Sequence, residues 1–200
     1  GGEDWKLWIK ALLDAGVVEE GSYTVAYSYI GPDLTRPIYR EGTIGKAKED
    51  LEKTADELSE QMKKAVGGDA FVSVNKALVT RSSAVIPMVP LYMAILFRVM
   101  KEKGLHEGVI EQMYRLFSDR LFKNGGDGKS SDVPTDEKGL IRLDDWEMRE
   151  DVQKAVEEIW PTVTSENIEE ITDMAGYRED FLHLHGFGYD SVDYEADVEL

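Results

Sequence analysis

Apolar positions recur along the chain with two periods, and together they predict alternating helices and short strands. Trp5, Trp8, Ile9, Leu12 and Leu13 make one face of an opening helix that Gly16 closes. Residues 23–30 form a short run rich in aromatic and β-branched side chains, bounded by Gly21 and by Gly31-Pro32, and read as a buried strand. Ile44, Ala47, Leu51, Ala55, Leu58 and Met62 then return at three- and four-residue steps, a core-facing stripe with Thr43 as N-cap and an end near Gly67-Gly68. A second strand is expected over 70–79. Strand, helix, strand implies a right-handed crossover in a parallel sheet, and so an α/β fold.

Farther along, residues 84–97 are the most apolar stretch. They are too short to span a bilayer, are interrupted by Pro87 and Pro90 and meet Arg98, so a core helix over 90–104 fits them better. A helix over 107–122 comes next. Lys123-Asn124-Gly125-Gly126-Asp127-Gly128-Lys129-Ser130-Ser131 has the look of a phosphate loop, but the Walker A pattern needs glycine where Lys123 stands and a strand before it. It reads as a solvated surface loop. Ile141-Arg142-Leu143 is expected to be a short extended piece, with Asp144 or Asp145 capping a helix that runs through Trp160 and ends at Pro161. Further helices are expected from Ser165 and over 175–184, and the acidic tail from Asp190 carries Val192, Tyr194 and Val198 for weak docking. The division expected from this pattern is 1–123, a surface loop over 124–139, and a helical appendage over 140–200.

Charge and composition narrow the partners. Across 200 residues the net charge is -17, which argues against nucleic acid or an anionic membrane surface as a primary partner. The sequence has no cysteine, hence neither a disulfide framework nor a thiolate nucleophile. No signal peptide is visible, and the expected location is cytoplasmic or, in a eukaryote, organellar. His183 and His185 alternate with leucines without further ligands nearby in sequence, so no metal site is expected. Asp144, Asp145, Glu147, Glu150 and Asp151 read as a charged helix start favoured by the macrodipole.

The chemistry is concentrated between Tyr29 and Lys48. At about 100° per residue, Lys48 falls inside the apolar stripe of its helix while Lys46 and Lys53 fall opposite. Tyr39 lies nine residues earlier, a spacing that in one continuous helix would set it about 180° away. The two can meet only with Tyr39 on the loop ahead of the helix, which Gly42 and Gly45 permit. A phenol with an ordinary pKa near 10 is protonated at neutral pH, and a neighbouring ammonium stabilises the phenolate left after transfer. Tyr29, at the strand end, is placed to give a second hydroxyl to the same oxygen. The residues alone leave open a non-catalytic α/β binding or scaffold module whose tyrosines merely pack.

Ala26-Tyr27-Ser28-Tyr29-Ile30-Gly31-Pro32, followed by Tyr39-x8-Lys48 with Gly42-Thr43-Ile44-Gly45-Lys46-Ala47-Lys48, resembles the NADH-dependent trans-2-enoyl-CoA reductases and the enoyl-acyl-carrier-protein reductases of the same family. The likeness continues through Val74-Asn75-Lys76-Ala77-Leu78-Val79-Thr80, Ile86-Pro87-Met88-Val89-Pro90-Leu91-Tyr92, Asp144-Asp145-Trp146-Glu147 and Ala175-Gly176-Tyr177. It implies that this chain is the C-terminal half of a Rossmann-like, short-chain-dehydrogenase-type parallel sheet with a helical C-terminal appendage. The other half would carry the glycine-rich dinucleotide fingerprint, and no G-x-G-x-x-G occurs here. The resemblance further implies NADH as cofactor, an acyl thioester of coenzyme A or acyl-carrier protein as substrate, and a monomer at full length. It assigns Tyr39 and Lys48 to catalysis and Tyr29, Leu78 and Phe97 to the substrate. Lys48, Leu78, Val79 and Thr80 would face the cofactor, with Lys48 on the nicotinamide ribose and lowering the phenol's pKa.

Overall fold

The computed structural model describes residues 1–86, 88–123 and 133–197. Pro87, residues 124–132 of the expected surface loop, and Val198 lie outside them. The chain divides into two compact units, Gly1–Ala77 with Glu107–Gln153, and Leu78–His106 with Lys154–Leu200.

The first unit opens with α1 (Glu3–Asp14), β1 (Tyr23–Ser28), a single helical turn α2 (Arg36–Tyr39), α3 (Thr43–Val66) and β2 (Asp69–Val74). Its second segment adds α5 (Val109–Leu116), a π-helical turn at Phe117–Leu121, β3 (Ile141–Arg142) and the start of α6 (Glu150–Ile159). β1 and β2 pair in parallel around α3, from Tyr23 opposite Asp69 to Ser28 opposite Val74, and β3 joins the far side of β2, also in parallel. The α/β reading holds for this unit.

Alternation along β2 explains why helices cover both faces. Ala70, Val72 and Val74 point to one side, where Ile9 of α1 and Ala55, Leu58 and Met62 of α3 pack. Phe71 points to the other, against Leu116, Leu121, Ile141 and Leu143. Every residue of β2 is buried, whereas β1, the outer strand, is mostly half-buried rather than the buried strand its composition predicts. The stripe on α3 is likewise shorter than its periodicity suggests. β2 supplies apolar partners from Leu51 onward, and Ile44 and Ala47 in the first turn are exposed. Gly67 ends the helix in the left-handed region, at φ 65°.

Two of the expected boundaries move by about a turn or more. β2 stops at Val74 and not at 79, because its partner β1 ends at Ser28, and the Asn75 N–H on the Ser28 carbonyl (2.8 Å) is the last bond of their ladder. α6 begins at Glu150, not at Asp144 or Asp145, because the backbone leaving β3 folds onto the end of β2, where the N–H groups of Leu143 and Asp144 both donate to the Val74 carbonyl (2.9 and 3.1 Å).

The second unit contains a 3₁₀ turn at Ser83–Val85, α4 (Val89–Glu102), the end of α6, a 3₁₀ turn at Trp160–Thr162, α7 (Ile168–Ile171) and α8 (Met174–His183). α4 is its core, with Tyr92, Met93, Ala94, Ile95, Leu96, Phe97, Val99 and Met100 all buried. α8 is tied to α4 by Lys101–Asp173 (2.5 Å) and by the Asp173 N–H on the Ala94 carbonyl (2.9 Å). Among the described residues no helix is long and apolar enough to cross a membrane.

Candidate active site

The carboxyl end of β1 gathers the reactive side chains of the first unit. Ser28 ends the strand and Tyr29 follows it. Gly31, at φ 76°, bends the chain away, and a Cβ there would lie 3.0 Å from the Tyr29 hydroxyl oxygen and on the Thr35 hydroxyl, so the turn needs glycine twice over. Tyr39 comes from α2, whose last N–H is held by the Thr35 carbonyl (3.1 Å). Arg40–Gly42 break the helix, and a Cβ at Gly45 would fall on the Arg40 carbonyl oxygen. Glycine there lets the α2 turn fold back on the first turn of α3, the geometry the nine-residue spacing demands.

Tyr39 is 5% exposed, and its ring meets that of Tyr29 edge-on, with centroids 4.8 Å apart at 83°. Lys48, half-buried on α3, donates from Nζ to Ser28 Oγ (3.1 Å). Tyr39 and Lys48 therefore rest on consecutive residues, whose Cα atoms are about 3.8 Å apart. Lys46 and Lys53 point outward, as the helical wheel requires. Beside Lys48, Arg40 forms a two-pronged pair with Glu52 (2.7 and 3.1 Å).

Burial lowers the pKa of the Lys48 ammonium, an effect that Glu52 opposes and Arg40 reinforces. For Tyr39, burial foremost and then the Glu147 carboxylate push the phenol up to about 12. In this structure the shift is opposite to the lowering expected from Lys48: burial dominates and the Glu147 carboxylate adds to it, while the ammonium is engaged on Ser28.

Glu147 is the residue that sequence periodicity missed. It is fully buried, accepts the Tyr29 hydroxyl on Oε1 (2.8 Å) and accepts the Ala77 N–H on Oε2 (2.7 Å). Asp144 is buried too, paired with Arg142 (2.6 Å), so within this acidic run the charged helix start is Glu150 and Asp151, exposed in the first turn of α6. The signal in the sequence was Trp146 set among the acids: its ring carries the Arg115 guanidinium at 4.3 Å.

In the second unit, Leu78 is half-buried, Val79 buried and Thr80 exposed, all in the loop after β2 rather than on the strand. That loop is closed by Ser83, whose hydroxyl donates to the Leu78 carbonyl (2.9 Å) and accepts the Thr80 N–H (2.8 Å). Phe97 is fully buried on α4, edge-on to His106 at 4.7 Å. No group of His, Cys, Asp and Glu suited to a metal is found among the described residues.

Comparison with known proteins meets this geometry from outside. Residues 1–122 match the family model described as "Trans-2-enoyl-CoA reductase catalytic region". The chain belongs to the trans-2-enoyl-CoA reductase family. It is 58% identical over 200 residues to a trans-2-enoyl-CoA reductase [NADH] of Brachyspira hyodysenteriae, covering 100% of this chain and 50% of that relative. An enoyl-[acyl-carrier-protein] reductase [NADH] of Coxiella burnetii is 54% identical, over 100% of this chain and 48% of its own length. Among solved structures, the trans-2-enoyl-CoA reductase of Clostridium acetobutulicum in complex with NADH superposes with a TM-score of 0.92 at 49% identity, over 100% of this chain and 48% of that one. The chain thus spans about half the length of the curated relatives it matches.

Residues 135–198 match a second family model, described as "Enoyl reductase FAD binding domain". A flavin dinucleotide needs cations or free helix N–H groups for its pyrophosphate. Here Arg142, Arg149 and Arg178 are each paired with a carboxylate, and the N-terminus of α8 is capped by the Asp173 side chain on the Gly176 N–H (3.2 Å). Gly186 and Gly188 follow a helix instead of opening one. These three arginines and this helix end are already engaged and do not suit a flavin pyrophosphate.

Proposed function

We propose that the chain is the C-terminal, catalytic half of an NADH-dependent reductase that saturates the trans-2 double bond of enoyl thioesters in fatty acid synthesis. What carries the reading is the placement of Tyr39 and Lys48 on the neighbouring residues Tyr29 and Ser28, beyond the carboxyl end of a parallel strand, where ligands of such sheets gather. The high identity to reductases of both coenzyme A and acyl-carrier-protein thioesters supports the substrate class and leaves both carriers within it. The three-stranded sheet is then the C-terminal half of a Rossmann-like sheet, and a dinucleotide-binding half completes the protein. The absence of cysteine suits a reducing compartment such as the cytoplasm.

NADH, when bound, supplies a hydride to the β-carbon of the double bond. Tyr39 holds the thioester oxygen, where negative charge then gathers, and provides a proton from a phenol that stays fully protonated through the neutral range. Lys48 holds the nicotinamide ribose, with Ser28 fixing the direction of its ammonium. A half-buried ammonium bonded to a neutral hydroxyl fits that task, since it retains donors for ribose oxygens. In the first unit Tyr29 is assigned to the substrate; in the second, Leu78, Val79 and Thr80 are assigned to the cofactor, and Leu78 and Phe97 to the acyl group.

The test is NADH oxidation with crotonyl-CoA by the full-length reductase. Tyr39→Phe and Lys48→Met are each expected to lower kcat/KM by roughly 10²–10⁴-fold, the range for a positioned acid. Wild-type kcat/KM in both variants would return the chain to the scaffold reading.

A further inference from the structure

Glu147 has no part in the chemistry just described, yet it is fully buried and bonded to one of the two tyrosines. Its place is set from several sides. The chain leaving β3 is fastened to the Val74 carbonyl by two N–H groups, Arg142 holds Asp144, and Gln153 Nε2 donates to the Glu147 carbonyl (2.7 Å). The Ala77 N–H donates to Oε2, and with the Tyr29 bond on Oε1 this sets the plane of the carboxylate.

The other oxygen, Oε1, accepts from the Tyr29 hydroxyl. A phenol has one O–H. With that proton on Glu147, Tyr29 has none to offer a substrate oxygen. That ring is the surface against which Tyr39 lies. We infer that Glu147 is a positioning residue for the tyrosine pair: it takes the Tyr29 proton in a hydrogen bond, locks the Tyr29 ring, and leaves Tyr39 as the hydroxyl of the pair that donates to the thioester. The inference rests on the proposed reductase reading and goes beyond it, because the two hydroxyls now have different roles where the sequence suggested that both donate.

Glu147→Gln separates these roles. A glutamine has one acceptor oxygen, which the Ala77 N–H requires, so its amide N–H₂ faces the Tyr29 oxygen and the Tyr29 proton must turn elsewhere. In the full-length enzyme, kcat and KM would be measured for wild type, Tyr39→Phe, Glu147→Gln, Tyr29→Phe and the Glu147→Gln/Tyr29→Phe double variant. Glu147→Gln and Tyr29→Phe are each expected to lower kcat roughly tenfold or more, as misplacement of a donor does, with KM for NADH little changed. The double variant is expected to be no slower than the slower single variant, because Glu147 acts through Tyr29.

Full kcat in Glu147→Gln, or losses that multiply in the double variant, would overturn the inference in favour of a purely structural carboxylate. Should Glu147→Gln not fold, Tyr29→Phe decides: it keeps the ring contact and the Ala77 bond and removes the shared proton, and an unchanged kcat would overturn the inference. Tyr39→Phe keeps the two levels apart. If it retains activity the reductase reading itself fails, whereas if it collapses while Glu147→Gln stays fast, only the role of Glu147 fails.

Discussion

Glu107 and Glu147 are both buried carboxylates of the first unit, at 5% and 0% exposure, and they are held by different chemistry. Glu107 meets a guanidinium: Arg115 reaches it through Nε (3.0 Å) and Nη2 (2.6 Å), while a third nitrogen bridges to Asp145 (2.8 Å). Glu147 accepts the hydroxyl of an active-site phenol and the peptide N–H of Ala77. In the first case opposite charges cancel locally and the product is a fixed fold, with the chain after β3 fastened to α5. In the second the carboxylate's field reaches Tyr39, whose phenol it helps push up. Burial of an acid is therefore no guide to its role. What distinguishes the two is the side chain each holds: the Arg115 guanidinium for Glu107, the Tyr29 phenol for Glu147.

The largest effect that could break this contrast is on stability. Arg115→Met strips Glu107 of its buried cation and is expected to cost about 3–5 kcal/mol in urea unfolding, the range for breaking a buried pair. Activity per folded molecule should not change, and a matching loss there would join the two regions. Glu147→Gln should cost less, about 1–3 kcal/mol, because its shape is kept and one buried donor is poorly matched. A penalty as large as that of Arg115→Met would show that Glu147 too is chiefly structural.

Ser28→Ala is smaller again. Loss of the hydroxyl that aims Lys48 is expected to cost about 0.5–1.5 kcal/mol and to raise KM for NADH more than it lowers kcat. A fall in kcat alone would detach Lys48 from the cofactor. The last effect is confined to alkaline pH. The Tyr39 phenol is raised to about 12 in the folded chain, against about 10 when unfolded, so the folded state holds its proton more tightly. Its contribution is intact below pH 10 and is lost as pH rises toward 12. Urea midpoints followed over that window should fall more steeply in wild type than in Tyr39→Phe, and parallel curves would place the phenol in solvent.

Much of the architecture was legible because it is local. The repeat in α3 put Lys48 on the inner face and Lys46 and Lys53 outside, and the glycines around residues 42–45 allowed Tyr39 to fold back. The parallel β1–β2 pair followed from strand, helix, strand. What escaped depends on contacts distant in sequence. Glu147 looks like one more acid in a solvated run until Leu143 and Asp144 dock on Val74, a pairing no periodicity reveals. Ser28 as the partner of Lys48 escaped for the same reason, and so did the upward shift of Tyr39, which needs Glu147 beside it.

The most direct measurement is a crystal structure of the full-length reductase with NADH and an unreactive enoyl thioester analogue. The account predicts the Tyr39 hydroxyl within about 2.6–3.2 Å of the thioester oxygen, with the Tyr29 hydroxyl still on Glu147. A thioester oxygen held by Tyr29 instead, with the Tyr39 hydroxyl directed away from it, would contradict the account.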